Sequence, residues 1–365
     1  MAQELDRKSL TIAVDVMGGD KGPGEVVAGC AQAIASGLEA KLLLVGREAD
    51  IKKASSHHPS LAGHAIEHLF AEGVVDMDAK PARALRRNRD SSMWAAIDAV
   101  KEGKAHGVVS CGNTGALMAM ARLQLRMIEG VDRPAASALW PSVKGQAVVL
   151  DVGANVEVTA EQLVQFAIMG EAYFRALTGQ AKPRVGLLNV GQEDLKGHKL
   201  IRDAATILKE ADPDMNFIGF VEGSDISSGD VDVVVTDGFT GNVALKTAEG
   251  TARMIGAWVK DALTANLAAK AGAALMMPSL KRLKTKMNPS SVNGAPLLGL
   301  GGLVVKSHGG SEAEGVSAAL LRTESLAAHP FLGEIARTVA DVSKRAATVS
   351  VDLDGNSGDV AAAAE

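Results

Sequence analysis

Short apolar runs alternate with amphipathic stretches along most of the chain, from Leu10 to about Val259. The runs are rich in Val, Ile and Leu, and the stretches between them repeat apolar residues every three or four positions. Runs of the first kind are typical of strands buried on both faces, and the second spacing is typical of helices that cover a sheet. The alternation predicts an α/β fold with βαβ units, right-handed crossovers and a mostly parallel sheet.

The same pattern gives approximate bounds for the elements. The predicted strands are Thr11 to Val16, Lys41 to Val45, Gly107 to Ser110, Ala147 to Asp151, Arg184 to Asn189, Met215 to Val221 and Val231 to Thr236. The helices between them include Leu163 to Leu177 and Gly197 to Ala211. From Trp258 the apolar spacing around Pro278 predicts a protruding helical hairpin over about 258–290. Gly294 to Gly310 returns to strands and glycine loops, and Ser317 to Arg345 reads as closing helices.

The 365 residues are enough to bury a large core. We expect an N-terminal extension over residues 1–9, one catalytic α/β domain over 10–349, and a frayed tail over 350–365, where no periodicity is visible. No internal repeat of fixed period is present.

Several predicted strands run directly into glycine loops that open a helix. The fullest example is VDVVVTDGFTGNVALK, from Val231 to Lys246; related loops occur in Leu10 to Gly24 and Gly107 to Gly115, and less fully in Ala147 to Asn155. Glycine lets backbone N–H groups turn toward an anion at a helix N-terminus. Because ligands bind at the carboxyl edge of open α/β sheets, we expect these loops to share one sheet edge and to bind phosphate there.

The candidate phosphate-binding residues are the glycines of these loops and the polar residues beside them. They are Gly18, Gly19, Asp20, Gly112, Asn113, Thr114, Gly115, Asp237, Gly238, Thr240 and Gly241. The alternative is that Asn and Thr simply cap the helices. Asp15, Asp20 and Asp237 are anions beside an anion site, so we expect them to organise the loops by accepting hydrogen bonds.

Composition and charge argue against several classes of function. A formal charge of −5 and eleven aromatic residues argue against nucleic-acid binding. The two cysteines show no CxxC spacing and the N-terminus lacks an apolar signal segment, which favours the cytoplasm. No run of about 18 uninterrupted apolar residues is present, so we expect no membrane span.

Several motifs resemble known functional sites but differ from them in spacing, residue order or context. His64 to His68 matches H-x-x-E-H, but the following apolar spacing suits a strand, and no third zinc ligand is evident. Gly191 to Lys199 departs from the Walker A spacing and order, and neither GxGxxG nor GxSxG occurs. Cys111 lacks a neighbouring base, which favours a packing role. We therefore predict neither a metal site nor a cofactor.

Many multi-residue motifs together resemble the phosphate acyltransferase PlsX family of bacterial phospholipid synthesis. They include DVMGGD, VSCGNTGALMA, DVGANVE, PRVGLLNVGQED, DVVVTDGFTGNVALKTAEG and GAPLLGLGGLVVKSHG, in order from about Leu10 to about Ile335. The resemblance implies transfer of a fatty acyl group from acyl carrier protein to inorganic phosphate. It also implies a three-layer αβα sandwich similar to phosphotransacetylases and isocitrate dehydrogenases, usually as a homodimer at the membrane surface. The family usually has Ala at the position of Cys111. The segment MNPSSVNGAP also lacks the tyrosine and glycine residues expected before the GAP motif.

The implied reaction is attack of a phosphate oxygen on a thioester carbonyl. Because a thiolate leaves without compulsory protonation, the protein has to supply anion binding, oxyanion stabilisation and alignment, and no covalent intermediate is required. The candidate catalytic residues are Asn242, Lys246, Lys306 and His308. Lys246 lies one helical turn after Asn242, so its side chain is on the same face. For the lysines and His308, an exposed or structural role is the alternative.

Two basic segments are candidate partner surfaces. Arg83, Arg86, Arg87 and Arg89 crowd seven residues, which suits docking of an acidic carrier protein or simply a solvated face. In the hairpin, Leu275, Met276, Met277 and Leu280 accompany Lys281 and Lys284, which suits either a membrane surface or a dimer interface.

We predict a cytoplasmic acyltransferase that associates peripherally with the inner face of the cell membrane. Two alternatives stay open. One is a short-chain phosphotransacetylase that uses acyl-CoA, and the other is a non-catalytic scaffold for lipid synthesis.

Overall fold

The computed structural model describes the backbone of residues 5–280 and 293–359, with side chains as far as Ala346. Its strands form one eleven-stranded sheet in the order β3-β2-β1-β4-β11-β10-β5-β6-β9-β7-β8. The strands are β1 Thr11–Asp15, β2 Lys41–Gly46, β3 Ile66–Phe70, β4 Gly107–Ser110, β5 Ala135–Ser142, β6 Gly145–Leu150, β7 Val185–Leu188, β8 Phe217–Val221, β9 Val233–Val235, β10 Ala295–Leu298 and β11 Leu303–Lys306.

The sheet consists of two parallel blocks joined by antiparallel strands. The first block contains β1 to β4 and β11, and the second contains β6 to β9. Between them, the pairs β11–β10, β10–β5 and β5–β6 are all antiparallel. Three reversals separate the blocks, so their strands run in opposite directions.

Helices cover both faces of the sheet, as a three-layer α/β fold requires. They are α1 Pro23–Ala35, α2 Glu48–Ser55, α3 Pro81–Arg87, α4 Ser92–Lys101, α5 Thr114–Leu125, α6 Ala160–Thr178, α7 Lys199–Ala211, α8 Gly238–Thr264, α9 Leu267–Leu275, α10 Ala313–Ala328 and α11 Phe331–Asp359. Strand β1 shows the layering, since Ile12 and Val14 pack into one core with α1, α6 and α10, whereas Ala13 packs into another with α4 and α5. Alternate side chains of a strand point to opposite faces, so β1 is buried on both.

The predicted strands are all present, and Ile66 to His68 belong to strand β3, which confirms that this segment forms a strand and not a helix. Strand β5 was not predicted. Helix α8 begins at Gly238, twenty residues before the predicted start of the hairpin, and α9 packs against it. Residues 281–290 of the predicted hairpin lie outside the described residues.

Candidate active site

Three loops meet where β1, β4 and β11 end, and we call them the first loop group: residues 16–22, 111–115 and 307–312. The N–H of Asp20 donates to the carbonyl of Gly309 at 2.8 Å. Gly19 has φ +99°, and a Cβ there would lie 2.9 Å from Cβ of Cys111. The Gly19 position therefore requires glycine both for its backbone conformation and for the close approach of the next loop.

A buried carboxylate, that of Asp15, anchors the first loop group. Asp15 is 1% exposed and accepts hydrogen bonds from the hydroxyls of Ser92 at 2.5 Å and Ser110 at 2.7 Å. The Ser110 hydroxyl in turn accepts the N–H of Gly112 at 3.0 Å. Burial raises the pKa of Asp15, and the serine hydrogen bonds oppose that rise. Asp15 organises the loops, as the sequence predicted, but through hydroxyls.

Lys306, the last residue of β11, brings a partly buried cation to the first loop group, which also contains Lys21. The ammonium of Lys306 donates to the carbonyl of Cys111 at 3.4 Å and to that of Ser307. Burial lowers the pKa of Lys306 to about 8, partly offset by Cys111, Asp15 and Asp20. Lys306 is therefore charged at neutral pH, in a partly desolvated place where a cation attracts an anion strongly.

Asn113 caps helix α5, as the alternative interpretation expected. Its side-chain oxygen accepts the N–H of Ala116 at 2.9 Å, and its amide donates to the carbonyls of Met77 and Ala79. Among the hydrogen bonds of the described residues, the backbone N–H groups of Thr114 and Gly115 have no acceptor. The cap thus leaves two amides of the helix N-terminus available to an anion.

The other loop residues frame this position. His308 is exposed, and its Nδ1 accepts the N–H of Gly310 at 3.1 Å, so that the second ring nitrogen carries the hydrogen in a neutral ring. A Cβ on Gly18 would lie 2.8 Å from the backbone nitrogen of Gly112. The structure therefore brings Gly18, Gly19, Asp20, Gly112 to Gly115, Lys306 and His308 together.

A second loop group lies where β6 and β9 end and comprises residues 151–155 and 236–242. Asp151 is fully buried and accepts the N–H groups of Ala136, Gly153, Ala154 and Asn155 at 2.6 to 3.1 Å. Burial raises its pKa, and these hydrogen bonds oppose the rise. A Cβ on Gly241 would overlap the carbonyl oxygen of Asp151, so glycine lets the two loops touch.

The polar residues of helix α8 begin in this second group. Asp237 caps the helix by accepting both the N–H and the hydroxyl of Thr240, at 2.8 and 2.7 Å. Asn242 is exposed, and its side chain lies beside Gly153. Lys246 is also exposed and pairs with Glu249 at 3.0 Å, one turn further along the helix.

The expectation that all these loops share one sheet edge is wrong. The blocks containing β4 and β9 run in opposite directions, so their strands end at opposite edges of the sheet. The physical reason is the antiparallel hairpin β5–β6, together with β10, which reverses the direction between the blocks. The site residues therefore form two groups rather than one.

The arginine cluster lies on and after the short helix α3. Arg83, Arg86 and Arg87 are exposed on it, and Arg89 stacks over the ring of Trp94 at 5.5 Å. Helix α3 contacts α5, the helix that starts in the first loop group. The arginines thus lie near that group.

The hairpin residues that the structure describes present apolar surface. Leu275, Met276 and Met277 are exposed and Leu280 is half-buried, whereas Lys281 and Lys284 lie outside the described residues. No helix in the described part of the chain is long and apolar enough to cross a membrane.

Sequence analysis gave Asp15 an organising role but assigned no site role to its partner Ser92 or to Asp151. One signal was available, because Asp15 and Asp151 each end an apolar run and precede a glycine loop. Ser92 had no such signal, since it opens helix α4 far from the loops in sequence and only the fold brings it to Asp15.

Comparison with known proteins gives consistent results. A family model described as fatty acid synthesis protein matches residues 10–332. Phosphate acyltransferase of Maricaulis maris is 53% identical over 328 residues, 89% of this chain and 93% of that protein. The Caulobacter vibrioides phosphate acyltransferase is 51% identical over 342 residues, 94% of this chain and 95% of that protein.

Solved structures with a similar fold include two phosphotransacetylases. That of Streptococcus pyogenes has a TM-score of 0.58 and 19% identity, covering 88% of this chain and 94% of that one. The EutD phosphotransacetylase of Staphylococcus aureus has a TM-score of 0.56 and 15% identity, covering 88% and 96%. At these identities the likeness concerns the fold.

Proposed function

The chain belongs to the phosphate acyltransferase PlsX family and is an acyltransferase, and on that premise we propose that it transfers a long-chain fatty acyl group from acyl carrier protein to inorganic phosphate. The product is an acyl phosphate for phospholipid synthesis. The observation that carries the proposal is the first loop group, where a partly buried lysine and two unpaired helix amides supply the charge that phosphate needs.

Inorganic phosphate attacks the thioester carbonyl directly. Lys306 and the amides of Thr114 and Gly115 hold the phosphate, and a phosphate oxygen forms the new C–O bond. The tetrahedral oxyanion then collapses and the C–S bond breaks, releasing the carrier thiolate, which needs no obligatory proton. His308 offers its free ring nitrogen to the oxyanion or the leaving sulfur.

Asn242 and Lys246 act from the second loop group in this proposal. Adjacent strands of a sheet rotate by roughly 20–25°, so the four steps from β11 to β9 turn the strand direction by roughly 80–100°. The proposal requires this twist to turn the second loop group toward the first, because the two groups lie at opposite edges of the sheet. Asn242, exposed beside the Gly153 loop, then supplies an amide donor to the acyl group.

The test compares one residue from each group. We expect Lys306→Ala to raise KM for phosphate, because the cation is lost, and Asn242→Ala to lower kcat about hundredfold, because an oxyanion donor is lost. Acyl phosphate formation from palmitoyl carrier protein is measured, and acetyl-CoA serves as the competing donor. Lys246→Ala is measured beside them and is expected to lower turnover.

Circular dichroism and unfolding midpoints establish that each variant is folded. Near-normal turnover in Asn242→Ala would show that the second loop group takes no part in the reaction. An unchanged KM for phosphate in Lys306→Ala would show that phosphate does not bind at the first loop group. Efficient use of acetyl-CoA in place of the palmitoyl donor would assign a short-chain phosphotransacetylase instead.

The acyltransferase works as a homodimer that binds the inner face of the cell membrane peripherally. Helix α8 exposes apolar side chains at Phe239, Val243, Met254 and Trp258, a spacing of 4, 11 and 4 residues that places them on one helix face. An exposed apolar stripe of this length suits a second copy of the chain. The apolar residues from Leu275 to Met277 lie beyond it and suit lipid. Docking of the acidic carrier uses the arginines at positions 83, 86, 87 and 89.

A further inference from the structure

A polar cleft of about 390 Å³ opens beside the first loop group. We call it the α3 cleft; its lining residues are Asp76, Asp78, Ala79, Lys80, Arg83, Arg87 and Asn88. The cleft divides the arginine cluster, because Arg83 and Arg87 line it, whereas Arg89 stacks on Trp94. Three cations and two carboxylates thus face a volume that is several times larger than a single phosphate ion.

The three cations of the α3 cleft form no salt bridge among the residues that the structure describes. In the described part of the chain, no ion pair or side-chain hydrogen bond involves Lys80, Arg83 or Arg87, although Asp76 and Asp78 line the same cleft. All three cations are exposed. Converging unpaired cations at a surface favour an anionic ligand, and arginine side chains bind phosphate oxygens in a fork geometry.

One segment separates the cleft from the reaction loops. The carbonyls of Met77 and Ala79 accept the amide of Asn113 at 2.7 and 3.0 Å, and a Cβ on Gly115 would lie 2.8 Å from Pro81. Residues 76–83 therefore contact the phosphate loop with one side and line the cleft with the other. A ligand held in the cleft lies next to the start of helix α5.

We propose that the α3 cleft binds the phosphodiester of the donor's phosphopantetheine arm, with Lys80, Arg83 and Arg87 as its cations. This inference rests on the proposed function, which places the thioester at the end of such an arm. The attacking phosphate has its own cation in Lys306, and the cleft is larger and more open than a phosphate ion needs. A phosphodiester joined on one side to a carrier protein and on the other to a pantetheine suits a cleft that is open to solvent and adjoins the reaction loops.

The experiment removes the phosphate from the ligand and the cations from the protein. Wild-type protein and Arg83→Ala/Arg87→Ala are assayed with acyl-phosphopantetheine and with acyl-pantetheine, which lacks the phosphate. We expect wild-type kcat/KM to be about tenfold higher for the phosphorylated donor, as charge-assisted hydrogen bonds predict, and the double variant to treat both donors alike. KM for inorganic phosphate stays unchanged. Arg337→Ala, an exposed arginine on helix α11, is the control and keeps the tenfold preference.

Direct binding of phosphopantetheine and pantetheine, measured by calorimetry, provides a second readout that does not depend on turnover. Equal affinity of wild-type protein for phosphopantetheine and pantetheine would overturn the proposal. An equal loss of kcat/KM with both donors in the double variant would overturn it too. A raised KM for inorganic phosphate would assign the cleft to the acceptor instead. If wild-type protein forms no acyl phosphate from any donor, the proposed function fails, while the calorimetric difference still decides whether the cleft recognises the phosphate of the arm.

Discussion

Lys306 shows how one residue's surroundings set the conditions under which the site works. The residue ends β11, and its half-buried ammonium contacts the carbonyl of Cys111, which belongs to the loop after β4. Sequence analysis named Lys306 as a candidate catalytic residue but did not predict its burial, because burial depends on loops that are distant in the chain. Its burial lowers the pKa of this lysine to about 8.

The pKa of about 8 gives Lys306 a testable pH dependence. Below pH 8 the ammonium is charged and attracts phosphate, and above pH 8 the charge is lost. We therefore expect KM for inorganic phosphate to rise about tenfold per pH unit on the alkaline side of pH 8. Initial rates of acyl phosphate formation between pH 6.5 and about 9.5 measure this.

Lys306→Arg is the matched variant, because a guanidinium keeps its charge over the whole of that range. In this variant the alkaline rise in KM should disappear, whatever activity is left. A rise that persists with the same midpoint would identify another group as its source.

At the scale of elements, strands and helices that repeat a simple pattern were predicted and those shaped by neighbours were not. Strand β9 is three consecutive valines, and buried parallel strands need little more than such a run. Strand β5 was missed because its sequence AASALWPS is rich in small residues and contains Pro141, which weakens the strand signal. That omission also caused the error about the sheet edge, because the β5–β6 hairpin is what reverses the strand direction.

Helix α1 offers a test of how tightly the layers pack, since it carries glycines in two different surroundings. A Cβ on Gly29 would overlap Cβ of Val316 on helix α10 and lie 2.7 Å from its Cγ1, whereas a Cβ on Gly24 would meet nothing within 4 Å. Gly29→Ala should lower the free energy of unfolding by about 1–3 kcal/mol, because α1 has to move away from α10. Gly24→Ala should leave it unchanged or raise it by up to about 1 kcal/mol through helix propensity.

Urea unfolding followed by circular dichroism compares the two variants with wild-type protein. Equal stabilities for Gly29→Ala and Gly24→Ala would mean that the contact between α1 and α10 is looser than the structure indicates.

For the whole molecule, the sequence predicted the α/β class and the first loop group, because both follow from local patterns. It did not predict how the two loop groups are arranged, since that depends on strand order and on the direction of each block. The position of Ser92 under Asp15 and the division of the arginine cluster by the α3 cleft are likewise products of the tertiary fold. The sequence therefore indicated which residues each loop contributes, but not where the loops lie relative to each other.

The exposed stripe on α8 and the apolar end after α9 lead to a prediction with two matched variants. Trp258 is 62% exposed on the stripe, and Leu275 is 86% exposed at the end of α9. A buried glutamate in a dimer interface costs several kcal/mol, so Trp258→Glu should give a monomer under conditions where wild-type protein is a dimer. Leu275→Glu should remain dimeric but bind anionic vesicles about tenfold more weakly, because it loses apolar contact with lipid and adds a repelled charge. Light scattering after size exclusion measures the first effect and vesicle flotation the second. A monomeric wild-type protein, or a Leu275→Glu variant that floats like wild type, would contradict the corresponding assignment and leave the other standing.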